Sequence, residues 1–231
     1  MKCMAREVMF QQKSRMLGDK WGKELLEFLE ASCGAIFRKK DKWGKIRLQR
    51  MYNNTNSIMT GAFVKYLAAD TTTEVDREKA LAEETIIDSA ETAIYAMTRD
   101  LRYCGFDYFA ERDKLRYHHK FYDKWHPQNE RDMYALKAAW LDRSQNVVDV
   151  YMLTALIYAR TECGYGEQRL RERHELFVKD FHSWLDFFLD PTHNSVAVAS
   201  RMTDERFAIV EDAGIQTEDL NLMNTTGKEI G

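Results

Sequence analysis

Apolar residues recur along this chain at intervals of three and four, and no stretch alternates apolar and polar residues between hairpin turns. The spacing predicts an all-α fold, a multi-helix bundle. A first helix is expected over residues 20–38, with Leu25, Leu26, Leu29, Cys33 and Ile36 on its inner face. The basic turn Lys39-Lys40-Asp41-Lys42-Trp43-Gly44 breaks it, and a second helix is expected over 45–69. After a polar loop at 70–74, with Thr73 as N-cap, a helix over 75–103 should stop at Gly105. Residues 108–127 carry no clear period. A short helix is expected over 129–142, then one over 147–162 that is apolar on almost every side, as in the middle of a bundle. Gly164-Tyr165-Gly166 interrupts the chain. The next helix has the most regular stripe, Leu170, His174, Phe177, Phe181, Trp184 and Phe188, with His174 expected to be a hydrogen-bonded core histidine. It should end before Pro191, because the residue preceding a proline disfavours helix. A weak helix over 203–212 and a polar tail follow. The pattern implies one helical domain over 1–190, with a sub-boundary within 105–128, and a weakly helical extension over 191–231.

Composition narrows the class without naming a function. The 231 residues include only two prolines, and no apolar run approaches the roughly 20 residues a membrane span needs. The first twelve residues lack the apolar core and cleavage site of a signal peptide. A cytoplasmic protein with no membrane partner is therefore expected. Cys3, Cys33, Cys104 and Cys163 lack CxxC spacing, which argues against a zinc site and a disulfide framework. The net charge of −3 is built from mixed signs and gives no global attraction to nucleic acid.

One pattern occurs twice. Trp43-Gly44-Lys45-Ile46-Arg47-Leu48 and Tyr165-Gly166-Glu167-Gln168-Arg169-Leu170 share aromatic-Gly-x-x-Arg-Leu, each between an apolar helix and the next one. Two structural corners would explain it, with glycine permitting the tight approach and the aromatic stapling two helices. Alternatively, Arg47 and Arg169 gather a phosphate.

The acidic helix holds the main candidate chemistry. Glu84, Asp88 and Glu91, spaced i, i+4, i+7, share one side of it beside the stripe Ile87, Ala90, Ile94, Met97 and Leu101. That arrangement suits a metal or phosphate site at the rim of a helical core, and equally a solvated edge. Glu24 and Glu27 are the candidates for a facing carboxylate pair, although Glu27 lies away from the apolar face.

Residues 50–58, Arg50-Met51-Tyr52-Asn53-Asn54-Thr55-Asn56-Ser57-Ile58, and the run from Glu84 to Ile94 resemble the helical nucleotide-modification-associated domain common in phage genomes. That family is grouped with all-α MazG-like nucleoside triphosphate pyrophosphohydrolases. Arg50, Met51, Asn56, Asp88, Ala90, Ala93 and Ile94 fall on its pattern. Asn53, Asn54, Ser57 and Glu91 stand where it has Asp, Lys, Arg and Asn. Residues 158–177 also resemble a Gly-Tyr-Gly-x-x-Arg-Leu element of small prophage proteins. The resemblance implies Mg²⁺ held by Glu84 and Asp88 with Glu91, hydrolysis of a nucleotide between its α and β phosphates, and phosphate contacts from Arg47 and Arg50.

Residues 108–125 mix Tyr108, Phe109, Tyr117, Phe121, Tyr122 and Trp125 with Arg112, Lys114, Arg116, Lys120 and Lys124. Arg116, Tyr117, Phe121 and Trp125 are its candidate partner-binding residues, since aromatics and arginine dominate interface affinity. A homodimer or a foreign protein would serve, and stacking of single-stranded nucleic acid is the alternative. Two functions follow: a phage-type accessory protein on a MazG-like scaffold that binds a host or defence protein with degenerate or no catalysis, or a Mg²⁺-dependent nucleoside triphosphate pyrophosphohydrolase.

Overall fold

The structure is a computed structural model that describes residues 2–69, 94–114, 137–138, 140–141, 144–190 and 193–216. It is an all-α multi-helix bundle with no strand among the described residues. The helices are α1 (Lys2–Asp41), α2 (Lys45–Ala69), α3 (residues 94–102), α4 (Tyr108–Lys114), α5 (Gln145–Cys163), α6 (Glu167–Leu189) and α7 (His193–Glu211).

The expected middle helix is the middle helix. Residues 148–156 of α5 are buried without interruption, and α5 packs against α1, α2 and α6. Leu153 is completely enclosed, so Leu153→Ala should cost about 2–5 kcal/mol in urea unfolding. Alongside it, α6 turns an aromatic spine inward. Phe28 of α1 stacks on Trp184 at 4.8 Å between ring centroids, and Trp184 stacks on Phe188 at 4.4 Å. The helix ends at Leu189, with Asp190 extended before Pro191 as the proline requires.

Two boundaries differ from expectation. The first helix begins at Lys2, not near residue 20. Gly18 and Gly22 blur the period there, yet they are contacts: a β-carbon on Gly18 would lie 3.5 Å from Trp140 Nε1, and one on Gly22 3.9 Å from its ring. The last helix begins at His193, ten residues ahead of the expected start at 203. It is no loose extension, because α7 packs along both α1 and α6, and Val210 and Ile215 are completely buried. Ser32 Oγ donates to Asp180 (2.5 Å), and Arg206 forks onto the same carboxylate, tying α1, α6 and α7 together. The core therefore continues past 190 to Ile215.

In the stretch 108–127, where the sequence shows no period, Tyr108–Lys114 is helical and pinned to the core. Tyr108 donates to Asp149 of α5 (2.7 Å), which also takes Arg112 (2.7 Å). His174 is a core histidine as expected, buried edge-on to the rings of Phe106 and Tyr108, and its Nδ1 has no hydrogen-bond partner. Burial pushes this imidazole down to about 4, so it is neutral in the folded protein.

Candidate functional site

The repeated aromatic-Gly-x-x-Arg-Leu pattern is a repeated backbone structure. Each helix ends in a residue of left-handed conformation, Lys42 at φ 57° after α1 and Gly164 at φ 67° after α5. The next N–H reaches back six residues, Trp43 to the Phe37 carbonyl (3.4 Å) and Tyr165 to the Ala159 carbonyl (3.1 Å). At the second corner the Gly164 N–H also reaches the Arg160 carbonyl (3.2 Å), the single bond of an αL helix end. The following glycine carbonyl accepts the leucine N–H that opens the next helix, from Leu48 to Gly44 (3.2 Å) and from Leu170 to Gly166 (3.1 Å). Both leucines are completely buried.

The two corners touch. Trp43 Nε1 donates to Tyr165 Oη (3.1 Å), and Phe37 stacks on Trp43 at 4.2 Å. Beneath them, the enclosed carboxylate of Asp41 receives Arg173 on both oxygens (2.7 and 2.8 Å), with Arg169 at 3.6 Å. Burial first, and a hydrogen bond to Asp41 second, push the Tyr165 phenol up.

The arginines of the echo therefore have different fates. Arg169 lies over the Tyr165 ring (4.5 Å) and is tethered to Asp41, whereas Arg47 and Arg50 are exposed. Arg47 and Arg169 do approach one another's surroundings, since both act electrostatically on Cys163. The cavity beside Arg169, about 460 Å³, is also lined by Glu167 and Glu172, whose charge opposes an anion there.

The described carboxylates proposed for Mg²⁺ each have a lysine beside them on α1. Glu24 pairs with Lys20 (3.7 Å) and Glu27 with Lys23 (3.8 Å), each an i, i+4 pair along α1. Among the described residues no three His, Cys, Asp or Glu side chains converge as ligands. The described carboxylates thus do not fit a divalent ion that needs several ionised oxygens. Glu84, Asp88 and Glu91 lie outside the described residues, as do Arg116, Tyr117, Phe121 and Trp125.

The residue that sequence reasoning missed is Glu30. It sits in the core, where burial, with Glu27 adding repulsion, pushes its carboxyl up to about 8. Tyr52 Oη donates to the Glu30 carbonyl (2.9 Å), and the Glu30 carboxyl acts on both the Tyr52 and Tyr151 phenols. Glu30 Oε1, Asn56 Oδ1 and Tyr151 Oη are buried without partners. The signal was present: Leu26, Glu30, Cys33 and Phe37 form one i, i+4, i+7, i+11 stripe, so Glu30 had to face inward.

A protonated Glu30 has a consequence for stability. The folded chain keeps a proton that the unfolded chain releases, so this group's stabilisation is full below about pH 4.5 and is lost as pH rises through about 8. Glu30→Gln should therefore be the more stable protein at pH 9, by on the order of 4 kcal/mol, with the gap narrowing to about 2 kcal/mol at pH 6 and closing only near pH 4.5. Urea unfolding of both proteins across that range checks it. Above about pH 7.5 the His174 imidazole is neutral in both states and does not interfere.

The class defined by this geometry is an all-α bundle with two interlocked helix corners and a buried acid. Beyond that class, no known protein family, curated protein or solved structure matches the chain. Among the described residues no helix is long and apolar enough to cross a membrane.

Proposed function

We propose that this is a helical accessory protein of the phage type, on a scaffold resembling the MazG-like enzymes, that acts by binding a protein of the host or its defence system without turning over a nucleotide. The observation that carries the binding mode is the solvent face of α3 and of the turn that follows it. Tyr95, Arg99 and Tyr103, spaced i, i+4, i+8, form one stripe, with Tyr95 67% and Tyr103 83% exposed. Tyrosine and arginine supply much of the affinity of protein interfaces, and aromatics left in water gain most by being covered. The ion-paired Glu24 and Glu27 support the non-catalytic half of the reading.

Incubation with a panel of nucleoside triphosphates and Mg²⁺ is expected to release no pyrophosphate. Release would overturn the reading in favour of a pyrophosphohydrolase. For the binding half, Tyr95→Ser with Tyr103→Ser should fold with unchanged thermal stability, since both side chains are exposed. Light scattering on wild type and variant then identifies self-association: a dimer that dissociates in the variant would make the partner a second copy, not a foreign protein.

A further inference from the structure

Among the described residues many exposed cations are ion-paired, and one cluster of them is not. Elsewhere exposed cations have carboxylates one turn away, as in Lys20 with Glu24, Arg171 with Glu167 and Arg201 with Glu205. At the first corner, Lys39, Lys40, Lys42, Lys45, Arg47 and Arg50 are all exposed, and among the described residues none has an ion pair or hydrogen bond. From Arg38 to Ala69 the only acid is Asp41, and its side chain is 2% exposed and held by Arg173. The helix α2 contains no Asp or Glu at all. In a chain whose net charge is −3, this corner is a concentrated positive field.

The residues beyond the cations continue the same chemistry. On α2, Ile46, Arg50, Asn53 and Ser57 fall at i, i+4, i+7, i+11 and are all exposed, with Arg47 beside them. Cationic side chains followed by neutral hydrogen-bond donors are the set that contacts phosphate oxygens along a nucleic-acid backbone. Basic residues in the first turn of a helix also oppose its macrodipole, so Lys45 and Arg47 reduce the stability of α2. An anion laid against that turn would reverse the penalty.

We infer that the corner formed by residues 39–50 and the exposed face of α2 is a docking surface for the phosphate backbone of a nucleic-acid duplex, read without regard to sequence. A single strand is disfavoured because its recognition uses exposed aromatics to stack bases, and the aromatics described here, Trp43 and Tyr52, are completely buried. An acidic protein is disfavoured for the same reason, since the patch offers no aromatic anchor among the described residues. The surface is distinct from the Tyr95–Tyr103 stripe, and its test does not depend on the partner proposed for that stripe.

The experiment is fluorescence anisotropy with a labelled duplex of about 20 base pairs, repeated from 50 to 200 mM salt, where a few neutralised phosphates change affinity by about 10-fold or more. Wild type is expected to bind at 50 mM salt and to weaken about 10-fold or more at 200 mM. Lys39→Gln with Lys40→Gln, and Lys45→Gln with Arg47→Gln, should each weaken binding and flatten the salt slope by about two cations' worth. The second variant should melt at the same temperature as wild type or higher, because it removes charges that oppose the α2 dipole. That combination separates lost binding from lost folding. No binding at 50 mM salt, or variants that bind as well as wild type, would overturn the inference. Tighter binding of a labelled single strand, or of labelled polyglutamate, would overturn it in favour of those ligands.

Discussion

Gly34→Ala is expected to destabilise the protein by about 3 kcal/mol, although alanine is the better helix former. At this point in α1 three helices meet. A β-carbon would sit 1.9 Å from Tyr52 Oη of α2 and 2.8 Å from Val210 Cγ2 of α7, both completely buried. Neither neighbour is a flexible chain end with room to move. Overpacking a core costs about 1–3 kcal/mol. Displacing Tyr52 also breaks its bond to the Glu30 carbonyl and strands a buried hydroxyl, at about 1–3 kcal/mol. Against these, the helix-propensity gain of about 1 kcal/mol is the smallest effect. Tyr52→Phe removes the atom that alanine meets first, so Gly34→Ala should cost less in that background than alone. Urea unfolding of the four proteins measures the coupling. Equal stability of Gly34→Ala and wild type would mean that α1, α2 and α7 do not cross here.

Which parts of this architecture were legible depended on whether their cause was local. The second helix starts at Lys45 as expected, and the sixth stops where Pro191 requires. In both cases the determinant lies next to the boundary. The start of α1 was not legible, because Gly18 and Gly22 are explained by Trp140, more than a hundred residues away in sequence. The two corners were recognisable as an echo, but Lys42 carries no mark of the left-handed conformation that Gly164 advertises. Likewise Arg47 and Arg169 hold the same position in the pattern, and only the placement of Asp41 decides that one is tethered and the other free. Glu30 could have been placed from its stripe, yet a glutamate among leucines on a wheel is usually assigned to the solvent side by its charge. Residues 84–91 of the acidic helix and 115–125 of the aromatic-basic segment lie outside the described residues, so the expectations about them stand as expectations.

The second large effect should come from the ion pair under the corners. Arg173 places Nε and Nη2 on the two oxygens of Asp41, whose side chain is 2% exposed, in a bidentate fork. Arg173→Met keeps much of the side-chain volume and removes the charge. It leaves Asp41 enclosed, with the more distant Arg169 and the Tyr165 hydroxyl as its remaining support. Breaking one side of a buried pair costs about 3–5 kcal/mol, and the residual contact to Arg169 should hold the loss near about 3 kcal/mol. Adding Asp41→Asn to Arg173→Met removes the stranded charge, so the double variant should be more stable than Arg173→Met alone. The outer pair is the control. Arg38 and Asp212 are 3.0 Å apart but 29% and 76% exposed, and Arg38→Gln should cost no more than about 1 kcal/mol. Salt separates the two further, because only the exposed pair is screened. If Arg173→Met unfolds at the same urea concentration as Arg38→Gln, the Asp41–Arg173 fork does not hold the corners together. The basic surface above it would then need another support.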